Sequence, residues 1–144
     1  MLGRDEILKL IPHAGRMCLI ERVSSWDPQQ IHCEADSHRE PEHPLRRMGV
    51  LSAIHVIEYG AQAAAIHASL LAPAPALANR AGVLVSVREC ELGVKRLDDL
   101  PHALQVRASC EAASADALTY SFEVSYQDSR LGRGRLMIKL APVQ

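Results

Sequence analysis

The spacing of apolar residues along the chain changes from stretch to stretch, and each spacing predicts an element. Over Asp5–Ile11, the residues Ile7, Leu8, Leu10 and Ile11 fall on one side of a short helix that Pro12 ends. Met17–Ser25 is apolar with a polar tail, Asp27-Pro28 marks a turn, and Gln30–Ser37 alternates, which predicts a hairpin of antiparallel strands. Pro41 and Pro44 keep His38–Met48 out of regular structure. Ser52 is a good N-cap for the run Ala53–Leu71, which has no proline and many alanines and predicts one long helix. Its apolar residues fall on every face, among them Ile54, Val56, Ile57, Tyr59 and Ile66, so the expectation is a helix buried nearly all round. After a loop over Ala72–Arg80, three β-rich stretches follow: Ala81–Val94, Leu104–Ala112, and Leu118–Leu140 with a turn at Asp128-Ser129 or Gly132.

Helix, hairpin, long helix, then antiparallel strands: one sheet can bury such a helix only by curling around it. The predicted class is α+β, a hotdog fold, with residues 1–144 as a single domain. The 48% apolar and 23% charged residues fit an ordinary globular chain, and 3% aromatics require a core of Leu, Val, Ile and Ala. A formal charge of -1, with no window of basic residues and interleaved aromatics, argues against nucleic acid. Met1–Leu10 lacks the apolar core of a signal peptide and no stretch approaches a membrane span, so the expected location is the cytoplasm. Cys18, Cys33, Cys90 and Cys110 form no C-x-x-C pair and read as small buried thiols.

Glu58 is the informative residue, a carboxylate in an apolar helix with Ile54, Ile57, Ala61 and Gln62 around it. Burying it costs free energy unless it is paired or protonated, and a protonated carboxyl can act as a general acid. Structural pairing with Gln62 or His55, one turn away, is the alternative. His43, in Glu40-Pro41-Glu42-His43-Pro44, titrates near neutrality and could remove a proton beside a carbonyl, with His38 as the alternative base. His38, Glu40 and His43 match no strong metal-ligand pattern, so no metal is expected. Amides after Ser52 could hold an oxyanion. Arg46, Arg47, Arg80, Arg88, Lys95 and Arg96 could form a basic rim, and His13, His32, His67 and His102 read mostly as surface residues.

Two blocks carry a resemblance. Ile11-Pro12-His13-Ala14-Gly15-Arg16-Met17-Cys18-Leu19-Ile20-Glu21-Arg22-Val23, and His43-Pro44 through Gly49-Val50-Leu51 to Ile57-Glu58-Tyr59-Gly60-Ala61-Gln62, resemble hotdog beta-hydroxyacyl-acyl-carrier-protein dehydratases, in particular the divergent branch of aryl-polyene-type clusters. Where that family usually has H-F-P-G, this chain has His43-Pro44-Leu45-Arg46. The resemblance implies a 3-hydroxyacyl thioester dehydratase with no cofactor of its own, its substrate carried on phosphopantetheine by acyl carrier protein or coenzyme A. It implies a site across a homodimer, or a heterodimer. His43 would act as base, Glu58 as acid, the backbone amide of Ala53 would hold the thioester oxygen, and Gln62 and Ser52 would support them. A hotdog thioesterase and a non-catalytic partner subunit are the alternatives.

Overall fold

The computed structural model describes residues 1–11, 15–72 and 82–140. Helix α1 (Arg4–Leu8) leads to β1 (Arg22–Trp26) and β2 (Gln30–Ala35), and a 3-10 turn (Ala53–His55) opens α2 (Val56–Leu71). Four strands follow: β3 (Gly82–Leu92), β4 (Leu104–Ala113), β5 (Ala117–Tyr126) and β6 (Ser129–Leu140). They form one sheet in the order β1-β2-β4-β5-β6-β3, every neighbour antiparallel. With α2 across its inner face, this is the hotdog architecture. No helix among the described residues is long and apolar enough to cross a membrane.

Turn chemistry sets the registers. Asp27 Oδ1 accepts the amides of Gln29 at 2.8 Å and Gln30 at 3.0 Å, closing the β1-β2 turn as an Asx-type bend. Gln127, at φ 53°, takes the left-handed conformation in the β5-β6 turn, so the reversal falls at Gln127-Asp128, not at Gly132. Period-two alternation then points Ile31, Cys33, Leu104, Val106, Phe122 and Val124 inward, where they meet Tyr59, Ala63 and Ile66 of α2.

Close approach of helix to sheet depends on Gly60. A Cβ there would lie 2.4 Å from Phe122 Cγ and 2.9 Å from Phe122 Cβ, so the ring rests directly on helix backbone. Gly60→Ala is expected to destabilise the fold by about 1–3 kcal/mol, despite its gain in helix propensity, because the added methyl overpacks the core. Thermal unfolding checks this, and an unchanged or raised midpoint would mean that Phe122 moves aside freely.

Several sequence expectations are corrected. Helix α1 ends at Leu8, short of Ile11. The helical run is not buried all round: Ile54, in the 3-10 turn that opens it, is 44% exposed, and in α2 Leu71 is 39% exposed and Glu58 is exposed. Cys18 and Cys33 are buried, but Cys90 is exposed and Cys110 half-buried. His67, expected on the surface, is fully buried. Its Nε2 donates to the Asp27 carbonyl at 2.7 Å, and its Nδ1 lies 2.7 Å from the Tyr120 hydroxyl, so one ring joins α2 to the hairpin turn and to β5. His32 bonds Gln105 at 2.6 Å, and exposed His102 stacks on Tyr126. Pro12, His13 and Ala14 of the first resemblance block, and Arg80 of the basic group, lie outside the described residues.

The two sheet edges differ. Leu2 exchanges backbone hydrogen bonds with Val23, at 3.0 and 2.9 Å, and so shields part of β1. Among the described residues β3 pairs only with β6, and its Val83 and Val85 are 60% and 49% exposed. An apolar edge of this kind is open to another chain.

Candidate active site

The loop from Asp36 to Met48 packs over the first turns of α2, where Tyr59 meets it. His43 is 4% exposed and faces inward. Its Nδ1 accepts the Leu45 amide at 3.1 Å, and its Nε2 lies 3.2 Å from the Tyr59 hydroxyl. That hydroxyl lies 2.7 Å from Ser37 Oγ, which itself donates to the Leu19 carbonyl at 2.8 Å. Burial, followed by the nearby positive charges of His55, Arg46 and His38, pushes the His43 imidazole down to about 4, and burial raises the Tyr59 hydroxyl. Arg46 ties the loop together by donating to the carbonyls of Gly49 at 2.9 Å and His38 at 3.1 Å.

His38, the alternative base, has no exposed surface. Its Nε2 donates to the Leu100 carbonyl at 3.0 Å, and its buried Nδ1 has no hydrogen-bond partner among the described residues. Burial is the largest influence on it and lowers its pKa. Neither loop histidine therefore presents its ring to the surface of this chain.

The start of the helix is built as expected at Ser52 and differently at Ala53. Ser52 Oγ accepts the Ile54 amide at 3.4 Å, an N-cap contact. The Ala53 amide, expected to hold a thioester oxygen, donates instead to the Lys95 carbonyl at 3.0 Å. The segment around Lys95–Leu97 returns along the helix start and bridges to it through Ser52 and Arg96. That long-range pairing takes up the amide, which sequence alone did not reveal. One residue earlier, the Leu51 amide donates to Asp98 Oδ1 at 2.9 Å. Arg96 bonds the same carboxylate and, with the Leu51 amide, holds its pKa down to about 2.

Asp98 thereby couples the helix start to pH. Its folded pKa lies below the ordinary 3.8, so its contribution to stability is complete above that value and is lost as pH falls toward 2. Asp98→Asn is expected to lower the unfolding midpoint near neutral pH and to flatten its decline in that acid window. Parallel pH profiles for the two proteins would contradict this.

Glu58 stands exposed on α2, three residues after half-buried His55. Gln62 does not support it. Gln62 is 3% exposed, accepts the Leu19 amide at 2.8 Å through Oε1, and donates to the Met17 carbonyl at 2.6 Å through Nε2. The structure thus joins His43 to Tyr59 and Ser37, and leaves Glu58 on an open face with Ile54. Sequence reasoning missed Ser37 and Tyr59 as partners of His43, although a phenol hydroxyl one turn into the long helix was the available signal at Tyr59.

A six-stranded antiparallel sheet curled around one helix is the hotdog fold. Within that fold, the chain belongs to the ApeP-like family, described as ApeP dehydratase, whose model matches residues 5–142. Among solved structures, a chain of the dehydratase heterocomplex ApeI:P from Xenorhabdus doucetiae superposes with a TM-score of 0.80 at 21% identity, covering 94% of this chain and 91% of that one. AziG from S. sahachiroi gives 0.64 at 16% identity, covering 91% and 97%. A mutant of a thioesterase enzyme from Staphylococcus aureus gives 0.61 at 9% identity, covering 84% and 93%. At these identities the structural likeness speaks for the fold alone. Comparison with curated proteins yields no match.

Proposed function

We propose that this chain is a subunit of a 3-hydroxyacyl-thioester dehydratase that forms a trans-2-enoyl thioester. The acyl group would be carried on the phosphopantetheine arm of acyl carrier protein or of coenzyme A. The observation that carries the reading is Glu58, the acid of the family block, exposed on α2 where a second chain can cover it. The apolar edge of β3 and exposed Ile54 supply surface for such a chain.

In the elimination, an imidazole from the facing chain takes the proton from C2, electrons move into a new C2=C3 double bond, and Glu58 gives its proton to the C3 hydroxyl, which leaves as water. Family membership supports this chemistry, and the dehydratase heterocomplex among the similar structures supports a two-chain arrangement. The test is intact-protein mass spectrometry of carrier protein loaded with a 3-hydroxyacyl chain, after incubation with the purified protein or with its complex. Loss of one water from the carried chain is expected. Release of free carrier thiol with no loss of water would replace the reading with a thioesterase.

A further inference from the structure

We infer that Ser37 and Tyr59 are positioning residues that hold His43 as a neutral imidazole protonated at Nε2, so that this chain presents Glu58 as an acid but does not present His43 as a proton acceptor. The hydrogen-bond pattern stands by itself, while its meaning for catalysis rests on the dehydratase reading above.

The tautomer follows from both ends of one chain of bonds. At one end is the Leu19 carbonyl, which can only accept. Ser37 has a single hydroxyl proton and donates it there at 2.8 Å. The Tyr59 hydroxyl, 2.7 Å from Ser37 Oγ, must then be the donor in that contact, which uses its only proton. Towards His43 the Tyr59 oxygen can offer only a lone pair, so Nε2 at 3.2 Å must bear a proton. At the other end, the Leu45 amide can only donate, and it reaches Nδ1 at 3.1 Å, so Nδ1 must be bare. Both ends favour the same tautomer, neither holding it fully without the other, and the ring's burial keeps it uncharged near neutral pH.

A base needs a nitrogen lone pair aimed at the substrate proton. In His43 one nitrogen carries hydrogen and the other is capped by a backbone amide, and the ring is 4% exposed. The residue acts as a clasp between the Asp36–Met48 loop and α2. In a pair of identical copies, neither His43 could serve as base. A facing hotdog chain whose loop imidazole keeps an unengaged nitrogen would complete a site around Glu58 of this one.

Proton–nitrogen correlation NMR of the full-length protein, isotope-labelled at its histidine ring nitrogens, reads the tautomer directly. Its seven histidines are separated by assigning His43 through the signals lost in His43→Gln. Near neutral pH the expected result is a bare Nδ1 and a protonated Nε2. A ring protonated at Nδ1, or at both nitrogens, overturns the inference. In Ser37→Ala the Tyr59 proton is free to turn towards Nε2, and the Nδ1-protonated share of His43 should rise from undetectable to measurable. An unchanged spectrum there would show that Ser37 and Tyr59 do not set the tautomer. If the wild-type ring is protonated at Nε2 and no assembly with this chain dehydrates a 3-hydroxyacyl thioester, the relay stands and the functional reading fails. Turnover together with an Nδ1-protonated ring would do the reverse, removing the relay and leaving the dehydratase in place.

Discussion

Glu58→Gln should reduce dehydration by two to four orders of magnitude in whichever assembly of this chain is active. A glutamine amide keeps the size of the acid and can still donate a hydrogen bond, but it has no proton to deliver to a departing hydroxyl. General acid catalysis typically contributes a factor of about 10²–10⁴, which sets the expected loss. Stability should hardly move, because Glu58 is exposed in the single chain and makes no ion pair there among the described residues. Exposed substitutions of this kind are usually within about 0.5 kcal/mol. Rates from carrier-bound substrate, read beside an unfolding curve, separate the two effects. Full turnover in the variant would remove Glu58 from the chemistry.

Gln62→Ala is expected to do the opposite, with a large loss of stability. The Gln62 amide is the side-chain link between α2 and the backbone of residues 17–19, accepting from Leu19 and donating to Met17. Truncation leaves a buried Leu19 amide and the Met17 carbonyl without this partner, and each unsatisfied buried group costs about 1–3 kcal/mol. A total of about 2–5 kcal/mol corresponds to a fall in melting temperature on the order of 10 °C for a domain of this size. Since Leu19 also receives the Ser37 hydroxyl, the loss should loosen the anchor of the relay as well. A fall of less than a degree would mean that water or the neighbouring backbone replaces the amide.

The order of elements is legible in the sequence because it rests on local chemistry. Ser52 caps the helix as expected, Asp27 closes the first hairpin, and the second-half strands run close to their sequence bounds. The exposed face of α2 is not legible, since alanine fits core and surface alike and a run of Ala61, Ala63, Ala64 and Ala65 marks no direction. For that reason the sequence pattern encloses Glu58 and Ile54, whereas in this chain they face outward. Site details escape the sequence where the partner is distant along it. The Ala53 amide is bound by Lys95, His67 by Asp27 and Tyr120, and the His43 tautomer is set through Tyr59 and Ser37 by Leu19. Such contacts belong to the tertiary structure, and no local pattern records them.

The tie from His67 to the Asp27 carbonyl also makes the chain's one tryptophan an optical gauge. Trp26 is the neighbour of Asp27 and is 43% exposed at the end of β1, so its emission samples the hairpin tip and not the apolar interior. Because the ring that pins this tip sits on α2, a change in tryptophan colour or intensity registers release of the hairpin tip from the helix's far end.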